Sequence, residues 1–279
     1  MSKYLIFGNG WIGNRLLELL PDAIISDLNI TDAEAIEESI RSHEPEVVIN
    51  AAGKTGRPNI DWCETNRQAT FESNVLGAGV VADACSFVQG VKLVHISSGC
   101  LWPHGVQIPE DRNPEPPSYY SVTKEGGEAL VSTYNPSALI LRIRMPIDIF
   151  PHERNLITKL VGYETILSEP QSITPVHMIA EAIEHLCEQG ECGVFNVVSR
   201  GEITAKEIIE MYESEFGVDL GKTYISANEF EKSGLATAGR SNCTLSVDKL
   251  AATGLGIVDA RPSVMLCVSM MHSYLSSES

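Results

Sequence analysis

Tyr120 and Lys124 stand four residues apart in a stretch that follows Ser118 and reads as a helix, so their side chains meet on one face. An ammonium beside a phenol favours the phenolate and draws its pKa down from about 10 toward neutrality. That suits a tyrosine that hands a proton to a carbonyl oxygen receiving hydride. Tyr119 has no lysine at this spacing. Taken alone, Y-x-x-x-K is a common pattern of a solvated helix face. It gains weight from Ser98, in the run Ser97-Ser98-Gly99-Cys100 that ends the apolar segment at residues 92–96, because a serine there can donate a hydrogen bond to the same oxygen. The plainer alternative for Ser98 is a turn serine capping local backbone.

The second constellation is Gly8-Asn9-Gly10-Trp11-Ile12-Gly13, between the apolar run at residues 3–7 and an amphipathic stretch at residues 11–20. Glycines at these positions permit a tight strand-to-helix turn, let backbone N–H groups approach a pyrophosphate, and pack helix against strand. The competing reading is a glycine turn with no ligand, but three such glycines cost backbone entropy without another evident gain. An acidic residue roughly 20 positions on would bind the adenosine ribose hydroxyls. Asp27 stands near that distance, at the end of the run at residues 23–26, where it reads equally well as a turn aspartate.

These residues need a scaffold. Apolar runs at 3–7, 23–26, 47–51, 92–96 and 138–143 alternate with helical stretches at 32–42 and 74–87 and with the Tyr120 helix. Such alternation implies an α/β fold of the Rossmann type, a doubly wound parallel sheet covered on both faces. After Phe150 the rhythm loosens. Residues 1–150 are expected to form the dinucleotide-binding part and 151–279 a smaller substrate-binding lobe, with 193–198 returning to the main sheet. The formal charge of −17, from 20 Lys+Arg against 37 Asp+Glu, excludes broad contact with nucleic acid or anionic membrane. No apolar stretch approaches the roughly 20 residues that span a bilayer, and no leader is visible, so a cytoplasmic address is expected. Seven scattered cysteines without a C-x-x-C pair fit reduced thiols and no metal site. Six are expected to be packing residues, with Cys100 the exception.

The chain resembles the extended short-chain dehydrogenases, and within them the epimerase/reductase part of plant rhamnose synthases, with dTDP-4-dehydrorhamnose reductases as more distant relatives. The resemblance is carried by G-W-I-G (10–13), N-A-A-G-K-T-G-R-P-N-I-D-W-C-E (50–64), S-S-G-C (97–100), Tyr120 with Lys124, R-I-R-M-P (142–146), N-L-I-T-K (155–159) and G-R-S-N (239–242). It implies an NADPH- or NADH-dependent reduction at C4 of a nucleotide-diphosphate 4-keto-6-deoxyhexose, preceded in bifunctional members by epimerisation at C3 and C5. Carried over residue by residue, it implies Cys100 and Lys159 as the epimerase acid/base pair. Thr55, Arg57, Asn59, Asn155 and Arg240 fall on the substrate side together with Ser98, and Ala51, Ala52 and Gly53 on the cofactor side. Two departures matter. The glycine turn is one residue shorter than the family's usual G-x-x-G-x-x-G, and the plant enzymes' basic residue after the second strand is missing, so NADH is expected to serve at least as well as NADPH. With no dehydratase half in these 279 residues, a separate 4,6-dehydratase is the expected source of the keto-sugar.

Chemistry supports that pairing. Protons on the carbons flanking a C4 ketone are acidified, and the enolate oxygen can use the donors that serve reduction, Ser98 and Tyr120. Cys100 lies two residues beyond Ser98, and Lys159 could serve on the opposite face once burial lowers its pKa. From residue types alone a core thiol and a solvated lysine are the simpler readings; the resemblance reverses that preference. Two alternatives stay open: a reductase acting on an already epimerised sugar, and a non-catalytic cofactor-binding subunit. The choice of UDP or dTDP, and the oligomeric state, with a homodimer as one option, are also open.

Overall fold

The computed structural model describes residues 3–277. β1 (Tyr4–Phe7), α1 (Trp11–Leu19), β2 (Ala23–Ser26), α2 (Ala33–His43) and β3 (Val47–Asn50) open the chain. α3 (Asp61–Thr65), α4 (Arg67–Phe71), a π-helical turn (Glu72–Leu76) and α5 (Gly77–Ser86) lead to β4 (Lys92–Ser98). There follow β5 (His104–Ile108), α6 (Tyr119–Tyr134), β6 (Leu139–Ile143), β7 (Pro146–Ile147), α7 (Leu156–Gly162), β8 (Thr165–Leu167), β9 (Thr174–Pro175) and α8 (Val176–Glu188). The chain closes through β10 (Gly193–Val197), α9 (Ala205–Phe216), β11 (Thr223–Ile225), α10 (Ala227–Ser233), β12 (Asn242–Leu245), α11 (Asp248–Ala252) and α12 (Ala260–Ser277).

Six strands form one parallel sheet in the order β2-β1-β3-β4-β6-β10. Its central strands are apolar on both faces because both are covered. Tyr4, Ile6, Val47, Ile49, Val94 and Leu139 pack with Leu16 of α1 and Ile179 and Ile183 of α8. The alternate residues Leu5, Phe7, Val48, Leu93 and Ile140 pack with Ile36 and Ile40 of α2 and Val81 of α5. Each such side chain contributes on the order of 1.5–3 kcal/mol by leaving water. The strand order reverses between β1 and β3, which opens a crevice beyond their carboxyl ends. Register delivers the ends together. Phe7 lies beside both Ser26 and Asn50, so Gly8, Asp27 and Ala51 emerge side by side, while Ser98 lies beside Ile143, so Gly99 and Arg144 emerge next to each other.

A second core joins Ile157 and Leu160 of α7, Ile208 and Ile209 of α9, and Val264 and Val268 of α12. The division near residue 150 is not a clean cut in space, since α8, β10 and Leu250 of α11 all belong to the main core. Three two-stranded parallel pairs, β5–β12, β7–β9 and β8–β11, went unread in the sequence because each is five residues or shorter and lies outside the main alternation. Helix α6 is locked to the sheet through a buried ion pair. Arg142 on β6 meets Glu128 at 2.7 Å, and the Ser97 hydroxyl donates to the same carboxylate at 2.5 Å. Since Glu128 lies one turn beyond Lys124, this contact fixes which helix face looks at the end of β4.

The glycines of the first turn divide by function. Gly8 has φ +108°, and a Cβ there would overlap the backbone of Ala51 and Ala52; a Cβ at Gly13 would overlap the Gly8 carbonyl. Gly10 has no heavy atom within 4 Å of a built Cβ. Gly13→Ala is therefore expected to cost about 1–3 kcal/mol in a denaturant titration, whereas Gly10→Ala should leave the midpoint nearly unchanged. Equal losses at the two positions would contradict this division.

Candidate active site

The cofactor end is built from backbone. Helix α1 begins at Trp11 after Gly10, has no side-chain cap and no acidic residue in its first turn, so its first N–H groups remain free for an anion. The space over Gly10 is open, and Asn14 steadies the turn by donating to the carbonyls of Asn9 and Gly10. Asp27 is exposed just past β2. Trp11, buried, stacks on His152 with ring centroids 5.3 Å apart, and Ile12 packs against the main core. Arg15, the nearest base on α1, is not free. It pairs with Asp148 at 2.6 Å and with Glu18, and lies over the Phe150 ring.

Ala51, Ala52 and Gly53 continue from β3 into Lys54, and this loop is clamped by Asn74, a residue absent from the sequence-based candidates. Asn74 sits in the π-helical turn, fully buried; its amide oxygen accepts from Lys54 N at 2.7 Å while its amide nitrogen donates to the Lys54 carbonyl and to Thr123 Oγ1, each at 3.0 Å. It thereby ties the cofactor-side loop to α6 next to Lys124. No local signal marks it in the sequence, where it follows Glu72 and Ser73 in a mixed run; its burial with every amide bond to the loop and α6 satisfied shows only in the fold.

Ser118 caps α6, its hydroxyl accepting from Ser121 N, and so starts the helix one residue before Tyr119. Tyr120 and Lys124 are both buried beneath the end of β4. One sequence-based expectation is corrected here. Lys124 does not depress Tyr120: its Nζ donates to the Ile96 carbonyl at 3.0 Å, and burial, partly offset by Glu128, lowers the lysine itself to about 8. Burial pushes the Tyr120 phenol up, the Cys100 sulfur adds to the rise, and the Ser98 hydroxyl, as a hydrogen-bond partner, opposes it. Tyr120 is accordingly a neutral phenol at pH 7, a proton donor from the outset. Behind it, burial and then the Lys124 charge hold His95 uncharged. Ser98 Oγ also accepts from Cys100 N at 3.1 Å, which sets the turn carrying the thiol.

The other wall is a cleft of about 510 Å³ lined by Arg57, Glu153, Arg154, Thr158, Lys159 and Tyr163. Burial, then the Arg154 charge, lowers the pKa of half-buried Lys159. Arg154 is the second residue that sequence reasoning missed. It donates to Thr55 Oγ1 and the Gly56 carbonyl, and its charge bears on both Tyr120 and Lys159. Arg57 is exposed and paired with Glu153 at 3.1 Å. Asn59 is half-buried, its side chain accepting from Asp61 N. Arg240 reaches this region by pairing with Asp61 at 2.9 Å. Asn155 departs from expectation: it is fully buried, caps α7 and donates both amide hydrogens to the carbonyls of Asp148 and Phe150, so its amide is committed to shaping the turn. Cys192 is exposed and so is not the packing residue expected; Cys63, Cys85, Cys243 and Cys267 are buried, and Cys187 is half-buried. Among the described residues no group of His, Cys, Asp and Glu could hold a metal, and no helix is long and apolar enough to cross a membrane.

Residues 4–271 match the RmlD substrate binding domain family. A bifunctional dTDP-4-dehydrorhamnose 3,5-epimerase/dTDP-4-dehydrorhamnose reductase of Arabidopsis thaliana is 32% identical over 263 residues, 89% of this chain and 86% of that protein. A trifunctional dehydratase/epimerase/reductase of the same plant is 30% identical over 89% of this chain, which spans 39% of its length. Among solved structures, the L780 UDP-rhamnose synthase of Acanthamoeba polyphaga mimivirus superposes with a TM-score of 0.87 at 26% identity, over 96% of this chain and 99% of that one. The Bacillus anthracis dTDP-4-dehydrorhamnose reductase, solved with NADP, shares the fold at a TM-score of 0.82 and 24% identity, over 95% and 98% of the two chains. A family match that runs from the first strand into the last helix, over a Rossmann sheet whose β4 ends at Ser98 beside Tyr120 and Lys124 of α6, places this chain among the RmlD-type short-chain dehydrogenases.

Proposed function

We propose that the protein converts an NDP-4-keto-6-deoxyglucose, with UDP as the carrier named for the trifunctional plant relative and the mimivirus synthase, to NDP-L-rhamnose by epimerisation at C3 and C5 and reduction at C4. The carrying observation is that Ser98, Cys100, Tyr120 and Lys124 meet at the carboxyl end of β4, with the Lys159 cleft coupled to them through Arg154. Reductases and epimerase/reductases of nucleotide-linked keto-sugars are what its relatives are named for.

The order of steps follows from the acids present. With the C4 carbonyl oxygen held by Ser98 and the neutral Tyr120 phenol, a base can remove the C3 or C5 proton because the enolate oxygen is stabilised by the same two donors. Cys100 and Lys159 are assigned to the two faces of the sugar, one removing the proton and the other returning it. When bound, a reduced nicotinamide dinucleotide supplies hydride to C4. Tyr120 then gives its proton to O4, and the phenolate left behind is held by the Ser98 hydroxyl, while the Lys124 ammonium, bonded to the Ile96 carbonyl, keeps a positive charge beneath the site. Thr55, Arg57, Asn59 and Arg240 border the space for the sugar nucleotide, and Arg154 adds a cation there.

Three outcomes test this reading. Lys124 carries its charge only below about pH 8 in the folded chain, so kcat/KM for reduction should fall about tenfold per pH unit above that point. For stability the same lowered value has the opposite consequence: burial of Lys124 opposes folding below about pH 8, and between about 8 and the ordinary 10.5, where the unfolded chain binds the extra proton, that penalty is relieved as pH rises. A flat alkaline profile of kcat/KM would remove Lys124 from the mechanism. With Asp27 past β2 and Arg15 committed to Asp148 and Glu18, NADH should be used at least comparably to NADPH in steady-state kinetics. A large preference for NADPH would mean that another base holds the 2′-phosphate. Finally, Tyr120→Phe should nearly abolish cofactor oxidation yet still exchange C3 or C5 protons of the keto-sugar in heavy water without cofactor, while Cys100→Ala and Lys159→Met should not exchange. Wild-type exchange rates in those two variants would leave a simple reductase.

A further inference from the structure

Arg144, the residue that follows β6 by one position, is 1% exposed. Its Nη1 donates to Cys100 Sγ at 3.2 Å, to Ser241 Oγ at 3.0 Å and to the Gly99 carbonyl at 3.4 Å. Its Nη2 donates to Gln171 Oε1 at 2.8 Å and to the Ser241 carbonyl at 2.5 Å, and Nε has no protein partner. None of these partners is a carboxylate. The other arginines that reach the sheet are neutralised, Arg142 by Glu128 at 2.7 Å and Arg15 by Asp148 at 2.6 Å. A guanidinium cannot shed its proton, and an uncompensated charge in a protein interior is strongly disfavoured. Of the atoms that Arg144 touches, the Cys100 sulfur is the one able to become an anion.

We propose that the buried Arg144 guanidinium and the half-buried Cys100 form a guanidinium–thiolate pair, with Arg144 the positioning residue that keeps the sulfur deprotonated and aimed as the carbon base. This rests on the epimerase reading and deepens it by saying which partner is the base. The sulfur takes the proton from C3 or C5, the C–H electron pair moves into the enolate, and the enolate oxygen is held by Ser98 and Tyr120. The Lys159 ammonium returns a proton on the other face, and exchange with water resets sulfur and amine. The other titratable groups that face Cys100 agree. Tyr120 on α6 is raised by burial and then by the nearby sulfur and stays a protonated acid, and Cys243 on β12 is raised by burial and stays a thiol, its Sγ directed at the Gly99 carbonyl. The Arg144 charge also lowers Cys243, but burial outweighs it there, and of the two sulfurs only Cys100 accepts a direct Nη1 bond, at 3.2 Å.

The test is the pH dependence of iodoacetamide alkylation at Cys100, followed by peptide mass spectrometry on the full chain beside a small free thiol. The free thiol loses reactivity about tenfold per unit below roughly pH 8.5. Cys100 should remain near its plateau rate at about pH 6, and Arg144→Lys should preserve much of that reactivity. Arg144→Gln should lower it on the order of 100-fold at that pH, as expected when the residual thiolate is set by an ordinary thiol value. A wild-type profile that tracks the free thiol overturns the pair, whether or not the glutamine variant folds. A thiolate profile with no C3 or C5 proton exchange leaves the pair standing and removes the epimerase reading; exchange with a free-thiol profile does the reverse.

Discussion

The carboxyl ends of β4 and β6 hold an excess of buried positive charge in a chain whose net charge is −17. Lys124, Arg142 and Arg144 are each at most 5% exposed there, and the two buried carboxylates among the described residues are both spent, Glu128 on Arg142 and Asp148 on Arg15. Burying cations in this ratio is costly unless something anionic is held beside them. A phenolate, an enolate oxygen and a thiolate are all anions that the proposed chemistry passes through at this spot. The site is thus preorganised for negative charge before any substrate arrives, which is the form of electrostatic help that accelerates proton and hydride transfers most.

The sheet supplies the placement. In a parallel sheet every strand delivers its last residue to the same edge, and here the register aligns Phe7, Ser26 and Asn50 in one group and Ser98 and Ile143 in another. The first group opens onto backbone suited to a dinucleotide, the second onto side chains suited to acid–base work. Asn74 couples them, with one amide on the loop after β3 and on Thr123 of α6. The Arg142–Glu128 pair fixes the rotation of α6, and the Arg15–Asp148 pair joins α1 to the segment leading into α7. Arg154 reaches from that segment to Thr55, so the cleft beside Lys159 and the pocket beneath β4 share one electrostatic environment.

Much of this was legible in the sequence where local chemistry decides position. Buried strands of four to five apolar residues, the glycine turn, the Ser118 cap before the Tyr120 helix and the return of residues 193–197 to the sheet each follow from patterns of a few residues. What was not legible depends on contacts between distant segments. The spacing of Tyr120 and Lys124 is visible locally, but that Lys124 bonds the Ile96 carbonyl, so that burial raises the phenol, is set by β4 packing over α6. Asn155 looked like a ligand group because its motif surrounds Lys159; only its burial shows the amide consumed by the turn. Arg144 and Arg154 read as ordinary arginines until the fold shows that one lacks a carboxylate and the other reaches across to residue 55.

The account stands on one pocket serving both carbon acid chemistry and reduction, with a common set of donors at O4. The most direct measurement is NMR of the product formed in heavy water from UDP-4-keto-6-deoxyglucose and protonated reduced cofactor. The expected product is UDP-rhamnose carrying deuterium at C3 and C5 and the transferred hydrogen at C4. A product reduced at C4 but with C3 and C5 still protonated and in the gluco configuration would contradict it.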